Sequence, residues 1–325
     1  MVSFVGIGHF VSVRYFPADN RRDCQLGKLL PSIGGGTMDW TPGGLSSDVE
    51  DRRGSSGGGL GGGGLGIVGF IFLLIISLIT GRNYIGTYLS GGGHVATTTN
   101  DRPVTASRAE DRSVQLVSFV LDDVQKTWEK VLPEETGRQY RHAKLVLFRN
   151  YTQSGCGVAK SQTGPFYCPA DEKVYIDLGF WDELHRIGGS TADFAQAYVI
   201  AHELGHHVQN ILGIERQMRQ LSARNPSQQN ALSVRLELQA DCLAGVWGHS
   251  AAERGKIDQS DVRAGLSAAA AVGDDHIQKM SRGAVSPESF THGSSAQRQS
   301  WFTRGLQQGD VSACNTFQSA SNGSF

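Results

Sequence analysis

Two histidines four residues apart, inside an apolar helical pattern, constrain the fold of this chain more than any other feature. They are His202 and His206 of the sequence His-Glu-Leu-Gly-His, and apolar residues continue the pattern on both sides, from Phe194 to Ile211. On a helix, side chains four positions apart lie on one face, one turn apart. Both imidazoles can therefore reach a single metal ion, for which Zn–N distances are about 2.0 to 2.1 Å. The pattern predicts a buried helix that carries two ligands of one zinc ion.

Glu203 follows the first of these histidines directly. A carboxylate at this position can take a proton from a water held by the metal as that water attacks a carbonyl group. We therefore predict Glu203 to be a general base, against the alternative that ordinary hydrogen bonds satisfy these polar groups in a structural helix. His207 points about 100° away from His206 around the helix, so we predict it to lie at the surface or behind a ligand, without binding the metal.

A catalytic zinc site requires a third protein ligand and an open position. A second helical pattern places Glu237 and Asp241 one turn apart on the same face. We predict that Glu237 binds the metal and that Asp241 accepts the outer N–H of a ligating histidine, which fixes the tautomer of the ring. The alternative explanation of such an acidic pair is a solvated helix face.

The remaining patterns indicate a mainly helical α+β domain with a small β-sheet. Apolar residues at helical spacing from Val114 to Pro133 predict an amphipathic helix, and the folded domain, residues 113–325, is predicted to begin there. Two strand-like runs follow, at 145–148 and 174–178, and helical patterns then extend from 193 to about 308.

The first hundred residues hold most of the 42 glycines, and they surround one apolar run. Residues 65–81 with the preceding glycines reach the roughly 17 to 25 residues that a membrane-spanning helix needs. A buried core helix and a cleaved signal peptide are the alternatives to this single transmembrane helix. Basic residues before the run place the glycine-rich segment 38–64 in the cytoplasm, and the domain outside it, behind a flexible linker at 82–112.

The net charge limits which partners the protein can have, and the cysteine content indicates the compartment of the domain. A formal net charge of -1 offers no basic field for nucleic acid. Four of the five cysteines lie after residue 150, where they can form two bridges in an exported domain. The short separation pairs Cys156 with Cys168, which leaves Cys242 with Cys314, and Cys24 is predicted to be a free thiol.

Several segments resemble the bacterial putative neutral zinc metallopeptidases. These segments are HELGHHVQ (202–209), ELQADCLAG (237–245), GPFYCP (164–169), THGSSAQRQSWF (291–302) and CNTF (314–317). The resemblance begins near residue 38, and the Glu-x-x-x-Asp pairing is also similar to the gluzincin group that includes thermolysin. Residues 1–37 have no counterpart, as expected of a mis-assigned extension from a start codon placed too early.

The resemblance implies a zincin-like peptidase domain with one Zn²⁺ per chain, behind one N-terminal transmembrane helix in the bacterial cytoplasmic membrane. It assigns the metal to His202, His206 and Glu237 and the general base to Glu203, with a peptide or protein as substrate. A peptidase of this kind also has a donor that stabilises the oxyanion. We expect this donor to be His292, with Tyr175 and His276 as weaker candidates, and the strand at 174–178 to be an edge that pairs with an extended substrate.

Two other functions are compatible with the same residues. A membrane-anchored interaction module with a structural zinc would need no catalysis, but such sites usually have four protein ligands, and only three are found here. A metal-dependent hydrolase of cell-wall amides would use the same ion and base as a peptidase. Peptides and cell-wall amides are therefore both compatible with the sequence as substrates, and no feature of the sequence predicts the oligomeric state.

Overall fold

The computed structural model describes residues 38–54 and 108–317 of the chain. The helices of this part are α1 (Arg108–Thr136), α2 (Phe180–Arg186), α3 (Asp193–Leu212), α4 (Ile214–Arg224), α5 (Gln229–Glu253), α6 (Gln259–Ala271), α7 (Asp274–Arg282) and α8 (Ser295–Gln308). The strands are β1 (Val49–Asp51), β2 (Lys144–Phe148), β3 (Tyr151–Ser154), β4 (Gly157–Lys160), β5 (Phe166–Cys168) and β6 (Lys173–Asp177). The predicted mainly helical α+β class is confirmed.

The predicted transmembrane helix at 65–81 lies outside the described residues. Among the helices of the described ranges, none combines the length and apolarity needed to cross a bilayer. The transmembrane helix therefore stays a prediction.

Four strands form one sheet in the order β1-β2-β6-β5, and β3 and β4 form a separate hairpin. β1, β2 and β6 are parallel, whereas β5 runs antiparallel to β6. β2 is apolar and buried on both faces, as strands inside parallel sheets usually are. The prediction that the strand at 174–178 is an edge is wrong, because β6 pairs with β2 on one side and with β5 on the other. The edge next to it is β5.

Helix α1 is longer than predicted at both ends. It begins at Arg108, so the last residues of the predicted linker 82–112 are helical. It also continues beyond Pro133 to Thr136, and the last turn is closed by bonds from the Thr136 hydroxyl to the Leu132 carbonyl oxygen and from the Gly137 N–H to the Pro133 carbonyl oxygen. The predicted apolar face is buried, with Val117, Leu121 and Trp128 in the main core.

Residues 38–54, which we call the N-terminal strap, pack onto the domain. Met38 is buried in the core, and the Trp40 indole donates a hydrogen bond of 2.7 Å to Asp193 at the start of α3. β1 then pairs with β2, with Val49 opposite Leu145. The strap thus adds core residues and a strand to the domain that we predicted at residues 113–325.

The helices form a layer in which α3 contacts α1, α5 and α6, and α8 packs along α5. Two glycines allow the backbones of α5 and α8 to touch. A Cβ atom at Gly305 would lie 1.9 Å from the Cys242 carbonyl oxygen, and one at Gly245 would lie 2.2 Å from the Phe302 carbonyl oxygen. This close crossing carries the first turn of α8 to the middle of α5.

Both predicted disulfide pairs are bonded. Cys156, in the turn of the β3–β4 hairpin, joins Cys168 of the edge strand, with Cα atoms 5.8 Å apart. Cys242 of α5 joins Cys314 in the turn after α8, with Cα atoms 5.4 Å apart. Cys24 lies outside the described residues.

Candidate metal centre

The side chains of His202, His206 and Glu237 converge between α3 and α5. The His202 Nε2 atom lies 3.3 Å from one Glu237 oxygen, and the His206 Nε2 atom lies 3.6 Å from the other. One ligand atom from each residue lies within 4.8 Å of the other two. A tetrahedral zinc with bonds of about 2.0 to 2.2 Å needs ligand atoms roughly 3.3 to 3.6 Å apart. The donor set therefore suits a zinc ion, and both nitrogen–oxygen distances have the length that such a site needs.

Gly205 explains how α5 comes close enough to supply the third ligand. It stands between the two histidines on the face of α3 that meets α5. A Cβ atom there would lie 3.0 Å from the Ala240 carbonyl oxygen and 3.2 Å from the Ala240 Cα atom. Contacts this short with backbone would push the helices apart. The glycine and the small Ala240 thus set the distance between Glu237 and the histidines.

The Glu237 carboxylate is held in its charged form. Burial raises its pKa, but the neighbouring His206, His292 and His202 side chains outweigh this effect and hold the pKa well below its usual range. An ionised carboxylate is the form that binds a divalent cation.

The Glu203 carboxylate lies beside the ligands and is 7% exposed. Burial raises the pKa of Glu203, although the charges of His202 and His206 oppose the increase. Within the part of the chain that the structure describes, this carboxylate forms no hydrogen bond or ion pair. Its charge interacts with the two neighbouring histidines, and its oxygens are free to accept a proton from a water molecule bound next to the ligands.

A buried acid holds the outer nitrogen of His202. Asp241 Oδ1 accepts hydrogen bonds from His202 Nδ1 at 2.8 Å and from the Tyr198 hydroxyl at 2.5 Å. The Arg298 guanidinium donates to both Asp241 oxygens, at 2.8 and 2.9 Å. Burial alone would raise the pKa of Asp241, but Arg298 and His202 lower it to about 2. The carboxylate therefore accepts from Nδ1 and leaves His202 Nε2 to face the metal position.

The same contacts favour a proton on the metal-free His202. Burial lowers its pKa, but Asp241 and Glu237 raise it to about 10. A zinc ion must displace this proton, because only a neutral imidazole is a ligand.

The outer nitrogen of His206 is held by an uncharged side chain, in contrast to that of His202. The His206 Nδ1 atom donates a hydrogen bond of 2.8 Å to the side-chain oxygen of Gln209, three residues further along α3.

His292 lies in the loop between α7 and α8, and Asp274 holds this loop. One Asp274 oxygen accepts the backbone N–H groups of Thr291, His292 and Gly293 at 2.6 to 3.0 Å, and the other lies 3.2 Å from His292 Nδ1. Gly293 has a φ of +95°, which favours glycine. Burial lowers the pKa of His292, but Asp274 and Glu237 raise it above its usual value.

The weaker candidates for this role lie elsewhere. The Tyr175 hydroxyl donates to Asp171, and its ring stacks on Phe166 in a separate small core. The His276 Nε2 atom bonds to the carbonyl oxygen of Ile187. Neither side chain joins the three ligands.

The prediction that His207 lies at the surface or behind a ligand is wrong on both counts. Its ring is completely buried, between the Tyr167 hydroxyl at 2.9 Å and the Arg141 carbonyl oxygen at 2.6 Å. The edge strand β5 and the residues before β2 cover this face of α3, so the histidine joins helix to sheet. Burial lowers the pKa of His207.

Arg298, Tyr198, Gln209 and Asp274 are the supporting residues that motif reasoning missed. A signal existed for Arg298, because it precedes the buried Phe302 and Leu306 by one and two turns on the same face of α8. An arginine in the middle of an apolar face must find a buried acid. Gln209 stands in a similar position, one turn after His206.

Comparison with known families and proteins gives a consistent result. A family model described as "putative neutral zinc metallopeptidase" matches residues 38–317. The Escherichia coli K12 protein YpfJ, described as uncharacterized, is 47% identical over 288 residues, which are 86% of this chain and 99% of YpfJ. The Mycobacterium bovis protein Mb2605, also described as uncharacterized, is 42% identical over 215 residues, or 62% of this chain and 70% of that protein. No solved structure matches the chain.

Proposed function

We propose that this chain, which belongs to the putative neutral zinc metallopeptidase family, is a zinc-dependent peptidase that uses Glu203 as its general base. The observation that carries the proposal is the convergence of three ligand atoms beside the Glu203 carboxylate, which forms no hydrogen bond or ion pair among the described residues. When bound, a zinc ion would lower the pKa of a water molecule and polarise the substrate carbonyl.

The residues of the chain would bind the metal, orient its ligands and transfer the proton. His202, His206 and Glu237 would hold the ion, and Asp241 and Gln209 would orient the two imidazoles. Glu203 would accept the proton of the attacking water and deliver it to the leaving amine, as a single positioned group can do in both steps.

His292 would donate a hydrogen bond to the oxyanion that forms when the carbonyl is attacked. Two observations support this role. Asp274 holds both the backbone and the ring of His292, so the side chain is fixed before substrate arrives. The raised pKa also favours the protonated ring, which has a donor on each nitrogen.

The edge strand β5 supports a peptide as the substrate. It is antiparallel to its neighbour and packs on α3, where Tyr167 bonds to His207 and to Asn210. An extended peptide can add to such an edge through main-chain hydrogen bonds. A cell-wall amide without an extended peptide backbone could not use this edge.

The number of ligands favours an enzyme over a structural zinc module. Only three donors converge in the described part of the chain, whereas a structural site is usually closed by four. Three ligands leave room for water and substrate.

The substitution Glu203→Gln tests the proposal. The amide keeps the size of the side chain but cannot accept a proton, so turnover should fall by about 10² to 10⁴-fold while zinc content is unchanged. The full chain is incubated with an unfolded protein and with cell-wall fragments, with and without a chelator, and products are identified by mass. A Glu203→Gln variant that keeps zinc and most of its rate would contradict the mechanism. Products from cell-wall fragments alone would support the rival substrate class.

We also propose that the protein is attached to the bacterial cytoplasmic membrane through residues 65–81, with the domain outside the cytoplasm. The apolar run supports the attachment, and the two disulfides support the compartment, because such bonds persist in oxidising environments. Alkylation of the protein in freshly lysed cells should find both pairs protected. Four reactive thiols would place the domain in a reducing compartment instead.

A further inference from the structure

The side-chain amide of Gln209 lies between the two ligand-bearing helices, and both its oxygen and its nitrogen form hydrogen bonds there. The side chain is completely buried. Its oxygen accepts from His206 Nδ1 at 2.8 Å, and its nitrogen donates to the Leu236 carbonyl oxygen at 2.8 Å and to the Gln239 side-chain oxygen at 3.0 Å. Leu236 directly precedes the ligand Glu237. One side chain therefore connects one metal ligand on α3 with the backbone that carries another on α5.

The contacts continue beyond the second glutamine. The Gln239 nitrogen donates to the Cys314 carbonyl oxygen at 3.0 Å, and Cys314 is bonded to Cys242 on the same helix. The turn after α8 is thus held to α5 by a disulfide at one position and by this amide at another. A hydrogen-bonded path leads from His206 to the disulfide-linked turn.

Two backbone carbonyls determine the direction of every hydrogen bond along this path. A carbonyl oxygen can only accept. The Cys314 carbonyl must therefore face the nitrogen of Gln239, which turns the Gln239 oxygen towards Gln209. The Leu236 carbonyl and the Gln239 oxygen then both require the nitrogen of Gln209, which turns the Gln209 oxygen towards His206.

Because the Gln209 oxygen can only accept, the His206 nitrogen that faces it must carry a proton and donate. Its proton is consequently held on Nδ1, and the lone pair is left on Nε2, the atom that faces Glu237. The opposite amide orientation would set two oxygens against the Leu236 carbonyl and the Gln239 side chain. It would also favour the tautomer whose Nε2 carries the proton and cannot bind a metal.

We propose that Gln209 and Gln239 form a positioning relay. The relay fixes the tautomer of His206 and holds the backbone next to Glu237 close to that histidine. Zinc affinity therefore depends on two neutral amides. The proposal rests on the proposed zinc site but not on peptidase activity. His202 has a charged support in Asp241 and Arg298, whereas the support of His206 carries no charge. The relay is thus a second, independent device for presenting a ligand.

Zinc affinity of the full chain tests the relay. The protein is freed of metal with a chelator and titrated with zinc against a chromogenic competitor. Gln209→Met keeps the approximate shape of the side chain but offers no acceptor to His206, and it should weaken zinc binding about 10 to 100-fold. Gln239→Met touches neither ligand, but it removes the partner that orients Gln209 and the hydrogen bond to the Cys314 carbonyl oxygen. A smaller loss of about 3 to 10-fold is therefore expected.

Asn210→Leu is the matched control. Asn210 neighbours Gln209 on the same turn, but its amide bonds to Tyr167 on the sheet side. It removes one amide from α3 without touching the relay, so zinc affinity should stay within about twofold of the wild type. Thermal unfolding of the metal-free variants separates a general loss of packing from a loss confined to zinc binding.

Nitrogen-15 spectra of histidine supply a readout that a purely structural role would not change. The zinc-loaded wild type should show a slowly exchanging proton on His206 Nδ1, and Gln209→Met should lose that protection. Wild-type zinc affinity in both glutamine variants, or equal losses in Asn210→Leu, would overturn the relay. If Gln209→Met does not fold, the result for Gln239→Met decides. A wild-type protein that binds zinc but cleaves nothing would contradict the proposed function and leave the relay standing.

Discussion

The metal centre and the N-terminal strap each contain an ion pair, and the two pairs lie in different surroundings. The Arg298 and Asp241 side chains beside the metal ligands are 4% and 0% exposed. The Lys256 and Asp39 side chains that join the strap to the domain are 33% and 68% exposed. Water screens the second pair and not the first. Similar distances therefore correspond to very different energies, and the pair between Lys256 and Asp39 contributes little to holding the strap.

The largest difference is expected from cutting one ion pair in each region. Arg298→Met leaves Asp241 buried without its guanidinium partner and should lower the free energy of unfolding by about 3 to 5 kcal/mol. Lys256→Met removes an exposed partner and should cost about 0 to 1 kcal/mol. Urea denaturation of the two metal-free proteins measures both values. Equal losses would show that burial does not separate the regions.

His292→Ala should show that the metal centre also contains residues that matter for rate and not for folding. Loss of an oxyanion donor should lower kcat by about 10² to 10³-fold. Zinc content and unfolding temperature should change little, because Asp274 keeps its backbone partners. Steady-state kinetics with a protein substrate measures the effect. A loss confined to KM would mean that His292 binds substrate in its ground state.

The strap should behave in the opposite way when its aromatic anchor is removed. Trp40 packs near Phe119, bonds to Asp193 and lies 5.1 Å below the Arg112 guanidinium. Trp40→Ala should lower the free energy of unfolding by about 1 to 3 kcal/mol, less than for a fully buried tryptophan. Zinc affinity should stay within about twofold of the wild type. A large loss of zinc binding would show that the strap acts on the metal centre.

The smallest effect is expected from pH. Burial lowers the pKa of His142, but its bonds to Asp48 of the strap and to Glu129 of α1 raise it above 6.5. A raised pKa contributes stability that is complete below the unfolded value and is lost as pH rises through the folded value. Unfolding midpoints should therefore fall slightly from about pH 6 to pH 8 in the wild type, and less in His142→Gln. The side chain is largely solvated, which keeps the effect small.

The metal ligands could be predicted because their pattern is local. The spacing of His202 and His206 determines their common face of the helix, and the same argument applies to Glu237 and Asp241. The strands β2 and β6 could be predicted from their apolar runs in the same way. Each of these features depends on residues within one helix or one strand.

The missed features depend on contacts between distant parts of the chain. β1 is three residues long, and its partner lies almost a hundred positions away, so no local pattern marks it. β6 was mistaken for an edge because strand order is a property of the assembled sheet. His207 is buried by β5 and by the residues before β2, which α3 does not encode. The same limit applies to Arg298, whose acid lies on another helix.

The contact between Arg53 and Glu110 has a consequence for membrane topology. These residues lie 3.1 Å apart at the end of the strap and the start of α1. A strap that is paired with β2 lies on the same side of a membrane as the domain. The positive-inside prediction places residues 38–64 in the cytoplasm and the domain outside it. Labelling of the strap and of the domain decides between these two arrangements.

Cysteines introduced at two exposed positions measure this directly. Leu45 in the strap and Met280 in α7 are exposed to similar extents, 55% and 53%. In a Cys24→Ser background, Leu45→Cys and Met280→Cys should react alike with a thiol reagent that does not pass the cytoplasmic membrane. Labelling of Met280→Cys alone would mean that the strap and the domain are parted by the bilayer and never pair in the cell.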